Sequence, residues 1–370
     1  MNRNNRPPES LYLHVPFCRS VCAYCDFTHT VYRRENAGRW LDALTEEIRM
    51  RKIDPALKTV YIGGGTPTCL EHSQLERLLE LLDPYVSGVQ EYTAEINPET
   101  LDEEKAALLK AHGVNRASIG FQSHDPGLLR LMGRKHSAED VRSCMDLLRD
   151  HGIRNISLDL MYSLPGQTME ILQESVRTAL SFEPDHLSLY SLTIEENTVF
   201  GRKGYAPLDE ETEADMYEWI CRYLAEQGFE QYEISNFARE GKKSQHNLAY
   251  WHYDDFYGIS CGASGKENGI RYDITKNLKE YLEEPGRRET VTELSERDQM
   301  METLMMGLRL KEGISLDVFR ERFGITFSEA YGEAEQSLTA KGLIECRDGS
   351  LRCTPRGYAI LNSVLVEFLD

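Results

Sequence analysis

Apolar positions in the first half of the chain follow two alternating rhythms. Short apolar or alternating runs fall at 11–15, 60–62, 92–96, 117–119, 156–160 and 187–192, as strands do. Between them the period lengthens to that of a helix. In "RWLDALTEEIRM" Trp40, Leu41, Leu44 and Ile48 share one face, and in "LERLLELL" Leu75, Leu78, Leu79 and Leu82 do the same. A further helical stretch, "AEDVRSCMDLLRDHG", closes at Gly152, where a glycine past the last turn is expected. Roughly six βα units in a row predict an α/β fold with a parallel sheet, because parallel neighbours need a crossover helix. That is short of the eight units that close a full barrel, so a partial barrel and an open doubly wound sheet both accommodate it. In either, working residues belong at strand C-terminal ends.

After "GFEQYEISNFARE" the rhythm breaks into Gly, Lys, Asn and aromatic residues. From Leu294 amphipathic helices return, followed by "LIECRDGSLRCT", which reads as a hairpin around Asp348 and Gly349, and a final helix over 355–369. The expected division is a barrel over 1–240, a connecting segment over 241–290 and a C-terminal domain over 291–370. Helices with a small wing resemble a winged-helix module. Acidic residues outnumber basic ones there, so packing or a partner is expected rather than DNA.

Composition narrows the function classes. A chain of 370 residues with formal net charge -19 is long enough for a sizeable core but poorly suited to nucleic acid, which needs clustered Lys and Arg. The N-terminus "MNRNNRPPES" is polar, without the apolar region of a secretory signal, and no apolar run approaches the roughly 20 residues of a membrane span. The odd count of nine cysteines then suggests reduced thiols and a cytoplasmic location.

Three of those cysteines crowd into "LYLHVPFCRSVCAYCDF", directly after the first strand: Cys18, Cys22 and Cys25. Three thiolates on a cubane leave one iron open to a small molecule. Zinc with His14 or His29 as fourth ligand is the competing reading, although structural zinc sites usually pair two separated C-x2-C knuckles. The plain alternative, three unrelated cysteines, sits poorly with a single short loop after a strand. The remaining cysteines, Cys69, Cys144, Cys221, Cys261, Cys346 and Cys353, are scattered and read mostly as small core residues. Later strand ends carry more polar chemistry. "VYIGGGTPT" offers a turn through which backbone can approach a ligand closely, or simply a tight βα connection. Glu95 in "AEINPET", Gln122 in "SIGFQSHD", Arg134 in "LMGRKHS" and Asp159 in "NISLDLMYS" would each alone be an ordinary loop charge or polar group. Together they could receive an ammonium, a carboxylate and hydroxyls.

The C-x3-C-x2-C spacing, with Tyr24 just before the third cysteine, resembles the radical S-adenosylmethionine superfamily. The resemblance implies a partial (βα)6 barrel with a C-terminal helical, winged-helix-like domain. It also implies a [4Fe-4S] cluster on Cys18, Cys22 and Cys25 and S-adenosylmethionine chelated at the open iron. There one electron from the cluster would cleave the sulfonium to a 5'-deoxyadenosyl radical. Gly64, Gly65 and Thr66 match the family's glycine motif. By similarity to the coproporphyrinogen-oxidase-like branch, Glu95, Gln122, Arg134 and Asp159 would contact S-adenosylmethionine. Tyr12 and Tyr24 would flank the cluster, and Thr193 would add a contact at the sixth strand end.

That likeness runs through "GGGTPT", "DLMYSLPGQT", "LTIEENT", "YEISNFA", "HNLAYW" and "GLRLKEGI". The branch holds two functions. One is oxygen-independent coproporphyrinogen III dehydrogenase, a radical enzyme that decarboxylates two propionates. Its additional cysteine after the cluster motif is here Phe27, and its longer N-terminal arm has no counterpart before Tyr12. The other is the HemW-type haem chaperone family, marked by H-N-x-x-Y-W, present as His246, Asn247, Tyr250 and Trp251. Chemistry alone would make His246 a hydrogen-bonded core histidine; the resemblance implies haem contacts at His246, Tyr250 and Trp251. Three positions depart from the chaperone pattern: Ser264 stands where a histidine is usual, and Ser260 and Ser163 stand where a glycine is. The expectation is a haem chaperone with a cluster and S-adenosylmethionine that serves apo-haemoproteins. A membrane-bound recipient and a homodimer are left open by the same resemblance. The alternative is a radical enzyme acting on a porphyrinogen. A plain electron-transfer protein would normally saturate its cluster with four cysteines.

Overall fold

The computed structural model describes residues 6–369. Residues 1–5 and 370 lie outside it, and with them half of the N-terminal stretch read above for a targeting signal. Six strands run parallel in chain order: β1 (Ser10–Val15), β2 (Thr59–Gly64), β3 (Glu91–Ile96), β4 (Arg116–Gln122), β5 (Asn155–Tyr162) and β6 (His186–Ser191). A helix follows each: Arg34–Met50, His72–Val86, Glu103–Ala111, Ala138–Asp150, Met169–Leu180 and Glu210–Glu226. The starts of the last four are fixed by side chains that accept orphan backbone N–H groups. Asp102, Thr168 and Asp209 cap three of them, and Ser137 forms a reciprocal box with Asp140.

Register assigns the two faces of the sheet. Tyr12 pairs with Tyr61, Tyr61 with Thr93, Glu95 with Ser118, Ser118 with Ser157, and Asp159 with Ser188. In-register neighbours share a face, so the concave side of the sheet is polar throughout. The alternate residues, among them Leu13, Val60, Ile62, Ile119, Leu158 and Leu187, are fully buried beneath the helices. The hydrophobic core therefore lies outside the curved sheet, and its interior is left for chemistry.

The sheet has nine strands rather than six. Beside β6 run two short antiparallel strands, β7 (Glu230–Gln231) and β8 (Asn236–Ala238). Beside β1 runs β9 (Tyr257–Ile259), in parallel. The stretch 241–290 thus does more than connect. It contributes an edge strand to the main sheet and most of a separate antiparallel sheet, Ser264–Glu267, Ile270–Ile274 and Arg288–Glu293. It is anchored from the first helix: Trp40 donates to Ser260 Oγ at 2.8 Å, and Glu47 accepts from the Ser260 N–H at 3.0 Å and the Tyr281 hydroxyl at 2.6 Å. A three-residue strand is too short to display a period, which is why 257–259 is illegible in the sequence.

The C-terminal region has its own core, including Leu304, Phe319, Phe323, Leu338, Leu351 and Phe368. Helices Glu296–Gly307, Leu316–Phe323 and Phe327–Ala340 precede a hairpin, Ile344–Arg347 with Ser350–Cys353, that turns at Asp348 and Gly349, both with positive φ. The single helix expected over 355–369 is two, Pro355–Ala359 and Leu361–Val366, broken at Ile360 (φ -124°). The break leaves Ile360 exposed and turns Leu361, Val364 and Leu365 inward. Among the described residues, no helix is long and apolar enough to cross a membrane.

Because Ile119 is wholly enclosed between sheet and helices, Ile119→Ala is expected to cost roughly 2–5 kcal/mol in urea denaturation. A loss below about 1 kcal/mol would contradict the outward-facing core.

Candidate cofactor and metal site

The C-terminal ends of the parallel strands surround a cavity of about 430 Å³. Its wall includes Cys18, Cys22, Cys25, Tyr24, Gly64, Gly65, Thr66, Glu95, Gln122, Arg134, Asp159 and Thr193. Tyr12 is the exception among the residues expected around the cofactor. It stands one layer back, bonded through its hydroxyl to His14 Nδ1 at 2.9 Å, while His14 Nε2 reaches the Thr28 carbonyl at 2.7 Å. Tyr12 therefore braces the cysteine loop from behind.

That loop is pinned at several points. Phe17–Cys18 pairs with Thr30–Val31, Ala23 N–H donates to the Met132 carbonyl at 2.8 Å, and Phe200 N–H donates to the Ala23 carbonyl at 2.9 Å. The three thiols are thus displayed on a strapped loop, each partly accessible. Burial pushes the Cys18 thiol up to about 11 and the Cys25 thiol up to about 12. Bare, these two stay protonated at neutral pH, so metal loading must displace protons. Among the described residues no three ligating side chains close on a point as one ion demands. A cubane places each thiolate on a separate iron and accepts a wider spacing.

The glycine turn is shaped by Glu95. Its Oε1 accepts from the Tyr61 hydroxyl at 2.7 Å and its Oε2 from the Gly64 N–H at 2.9 Å. Gly64 has φ +103°, and a Cβ there would lie 2.4 Å from the His14 ring, so only glycine lets β2 end against β1. Burial pushes the Glu95 carboxyl up to about 7; the Tyr61 hydroxyl opposes this and the Asp159 charge adds to it. Burial also raises Asp159, against hydrogen bonds from Ser188 and Ser118. Two buried carboxyls facing a cavity are ready for a cation or for hydroxyl donors.

Opposite them, Arg134 donates to Asn97, Asn97 donates to Thr66 at 3.0 Å, and the Thr66 hydroxyl faces the Cys18 sulfur at 3.8 Å. The Nε of Arg134 is buried without a partner, a donor left for an anion. Gly120 makes room for this guanidinium: a Cβ there would meet Nη2 at 2.4 Å. A register shift between Gly120 and Gln122, with Gln122 at φ +62°, re-aims the glutamine into the cavity. The donor set fits a three-thiolate cluster with a zwitterionic ligand: thiols at one side, carboxyls for an ammonium, a guanidinium for a carboxylate, and Asp159 with its serines for hydroxyls.

Of the haem contacts expected on the H-N-x-x-Y-W helix, Gln245–Trp251, those at His246 and the Tyr250 hydroxyl do not fit this geometry. His246 is 1% exposed, with Nδ1 bonded to the Thr59 hydroxyl at 2.8 Å and Nε2 to the Tyr250 hydroxyl at 2.7 Å. Its ring stacks on Tyr61, and burial pulls its pKa down to about 3. One nitrogen is spent on Thr59 and the other on the Tyr250 hydroxyl, so this is a structural histidine rather than an accessible iron ligand. Trp251 follows at the helix end with its ring only partly covered. Asn247, by contrast, lines the cavity. Sequence reasoning also missed Tyr61, Ser118, Ser188 and Tyr190 on the same wall. Their signal was present: all occupy the polar parity of the strands.

Known proteins resemble the chain along its whole length. Residues 12–179 match the family model of the radical SAM superfamily, and residues 294–360 match that of the HemN C-terminal domain. Heme chaperone HemW of Lactococcus lactis is 38% identical, over 98% of this chain and 97% of the relative. That of Bacillus subtilis is also 38% identical, over 98% and 99%, and that of Escherichia coli 33% over 98% of each. Among solved structures, the radical SAM enzyme coproporphyrinogen III oxidase HemN from Escherichia coli superposes with TM-score 0.84 at 22% identity, covering 99% of this chain and 92% of that one, which shows a shared fold.

Glu95 provides a test through its raised pKa. With a folded value near 7 and an ordinary value of 4.5, the folded protein binds more protons between those limits, so burying Glu95 costs stability as pH rises through the window. Glu95→Gln, which keeps one acceptor oxygen for the Gly64 N–H, is expected to gain stability relative to wild type progressively from pH 4.5 to 7 in urea titrations. A difference that does not vary with pH would show that Glu95 titrates normally.

Proposed function

The chain belongs to the HemW heme chaperone family within the radical SAM superfamily, and from that membership we propose that it binds haem and delivers it to apo-haemoproteins, carrying a [4Fe-4S] cluster and S-adenosylmethionine. The observation that carries the reading is three thiols, with no fourth, on one wall of the cavity that also holds the Gly64 turn and Glu95. Cys18, Cys22 and Cys25 would hold the cluster. When bound, the cluster supplies an open iron for the amino and carboxylate groups of S-adenosylmethionine and a source of single electrons.

The protein's own residues bind and orient. Glu95 would receive the methionine ammonium alongside the glycine turn, and the unpartnered Arg134 Nε its carboxylate. Asp159 would accept from the ribose, with Gln122 and Thr193 completing the wall and Tyr24 beside the cluster. We place the protein in the cytoplasm, with haem and haemoproteins as partners. A membrane-bound recipient and a second copy of the chain complete the proposal.

Cys18→Ala, Cys22→Ala and Cys25→Ala are each expected to abolish the oxygen-sensitive cluster after anaerobic reconstitution, measured as iron and sulfide per chain. Full iron and sulfide in any of the three would refute the ligand set. Reduced protein given coproporphyrinogen III is expected to form no protoporphyrinogen IX, while a parallel haem titration shows a shifted Soret band. Clear turnover would overthrow the chaperone reading.

A further inference from the structure

A haem carrier that grips iron through imidazole needs a histidine whose Nε2 is bare and reachable. The chain has ten histidines, and hydrogen bonding removes most of them. His14, His186 and His246 are buried with both ring nitrogens engaged. His136 is buried, with Nε2 on the Phe121 carbonyl. His72 and His252 point Nε2 at the carboxylates of Asp102 and Glu312, and His151 Nε2, 2.9 Å from Glu103, is shut away from solvent. His29, His112 and His124 bond through Nδ1 instead, and of these three His29 lines the cofactor cavity.

The tautomer of His29 follows from its partner. Nδ1 lies 2.6 Å from the Phe27 carbonyl, which can only accept, so Nδ1 carries the proton and Nε2 presents its lone pair. A ligating histidine is typically oriented in this way, by a backbone carbonyl on its other nitrogen. Cys25 Sγ lies 3.8 Å from the same Nδ1, so the nitrogen facing the thiols is already committed and is no fourth ligand for their metal. Exposed apolar side chains stand in the wall of the same cavity. Phe27 is 65% exposed, Tyr190 42% and Val21 40%, and all three line this cavity. Exposed apolar side chains gathered at one mouth mark a binding surface.

We propose that His29 Nε2 is the axial ligand of haem iron, with the porphyrin lying against Phe27 and Val21 at the rim of the cofactor cavity. The assignment rests on the chaperone reading and deepens it. Cargo and cluster then share one opening, and the loop that carries the cluster cysteines also presents the iron ligand.

The full chain, reconstituted anaerobically, is titrated with hemin and followed by Soret absorbance, with iron and sulfide measured in parallel. His29→Ala is expected to lose the band of an imidazole-ligated haem and to bind about tenfold more weakly or worse, with iron and sulfide unchanged. Added imidazole is expected to restore the band, which repairing a purely structural defect would not do. Phe27→Ala is expected to weaken binding while keeping the band position, and His252→Ala to change neither. A His29→Ala protein with the wild-type band and affinity overturns the site and leaves the chaperone reading standing; wild-type protein that binds no haem overturns both. Should His29→Ala fail to load its cluster, His29→Gln, which keeps a donor for the Phe27 carbonyl, carries the same comparison. An iron–histidine stretch missing from the resonance Raman spectrum of the ferrous wild-type complex would also overturn the assignment.

Discussion

The carboxylate of Glu95 ties the molecule together at its chemical centre. One oxygen holds the Tyr61 hydroxyl and the other the Gly64 N–H, so the end of β3 sets the path of the chain leaving β2. Tyr61 in turn stacks on His246, which hydrogen-bonds to the start of β2 at Thr59. A buried acid thereby couples the ligand turn to the helix beneath it. Breaking any member strands a polar group without water, at about 1–3 kcal/mol each.

The same logic explains the H-N-x-x-Y-W helix. A curved sheet with a polar concave face has to be stoppered by groups that satisfy its donors and acceptors. Glu91, at the start of β3, accepts from the Ser244 hydroxyl and from the backbone N–H groups of Gln245 and His246, fixing the helix N-terminus inside the barrel. At the other end the C-terminal domain takes hold: Glu312 meets His252, Arg322 donates to the His252 carbonyl, and Tyr253 donates to Glu302. The motif is a plug held from both sides, and its histidine is consumed by the plugging.

Much of the barrel was legible because its causes are local. Strand and helix periods, the helix stop at Gly152 and the Asp348–Gly349 turn all depend on neighbours a few residues away. The site was legible in part for the same reason: the cysteine loop and the "GGGTPT" turn directly follow their strands. Gln122 is different, since its aim depends on a register slip against β5 that no local pattern announces. Ser163, at φ +61°, adopts a glycine-like conformation yet donates to Glu213, fifty residues on. Its departure from glycine has a long-range partner.

Residue order alone determined that six strands alternate with helices, that three thiols sit on one short loop, and that polar side chains occupy every second strand position. Those properties follow from covalent spacing and backbone periodicity. Only the tertiary structure decided that 257–259 joins the sheet beside β1, that Tyr12 braces rather than lines the cavity, and which histidines keep a free nitrogen. A ring nitrogen is spent or available according to partners such as Thr59 for His246 or Glu312 for His252, and those partners are brought close by folding, not by sequence distance.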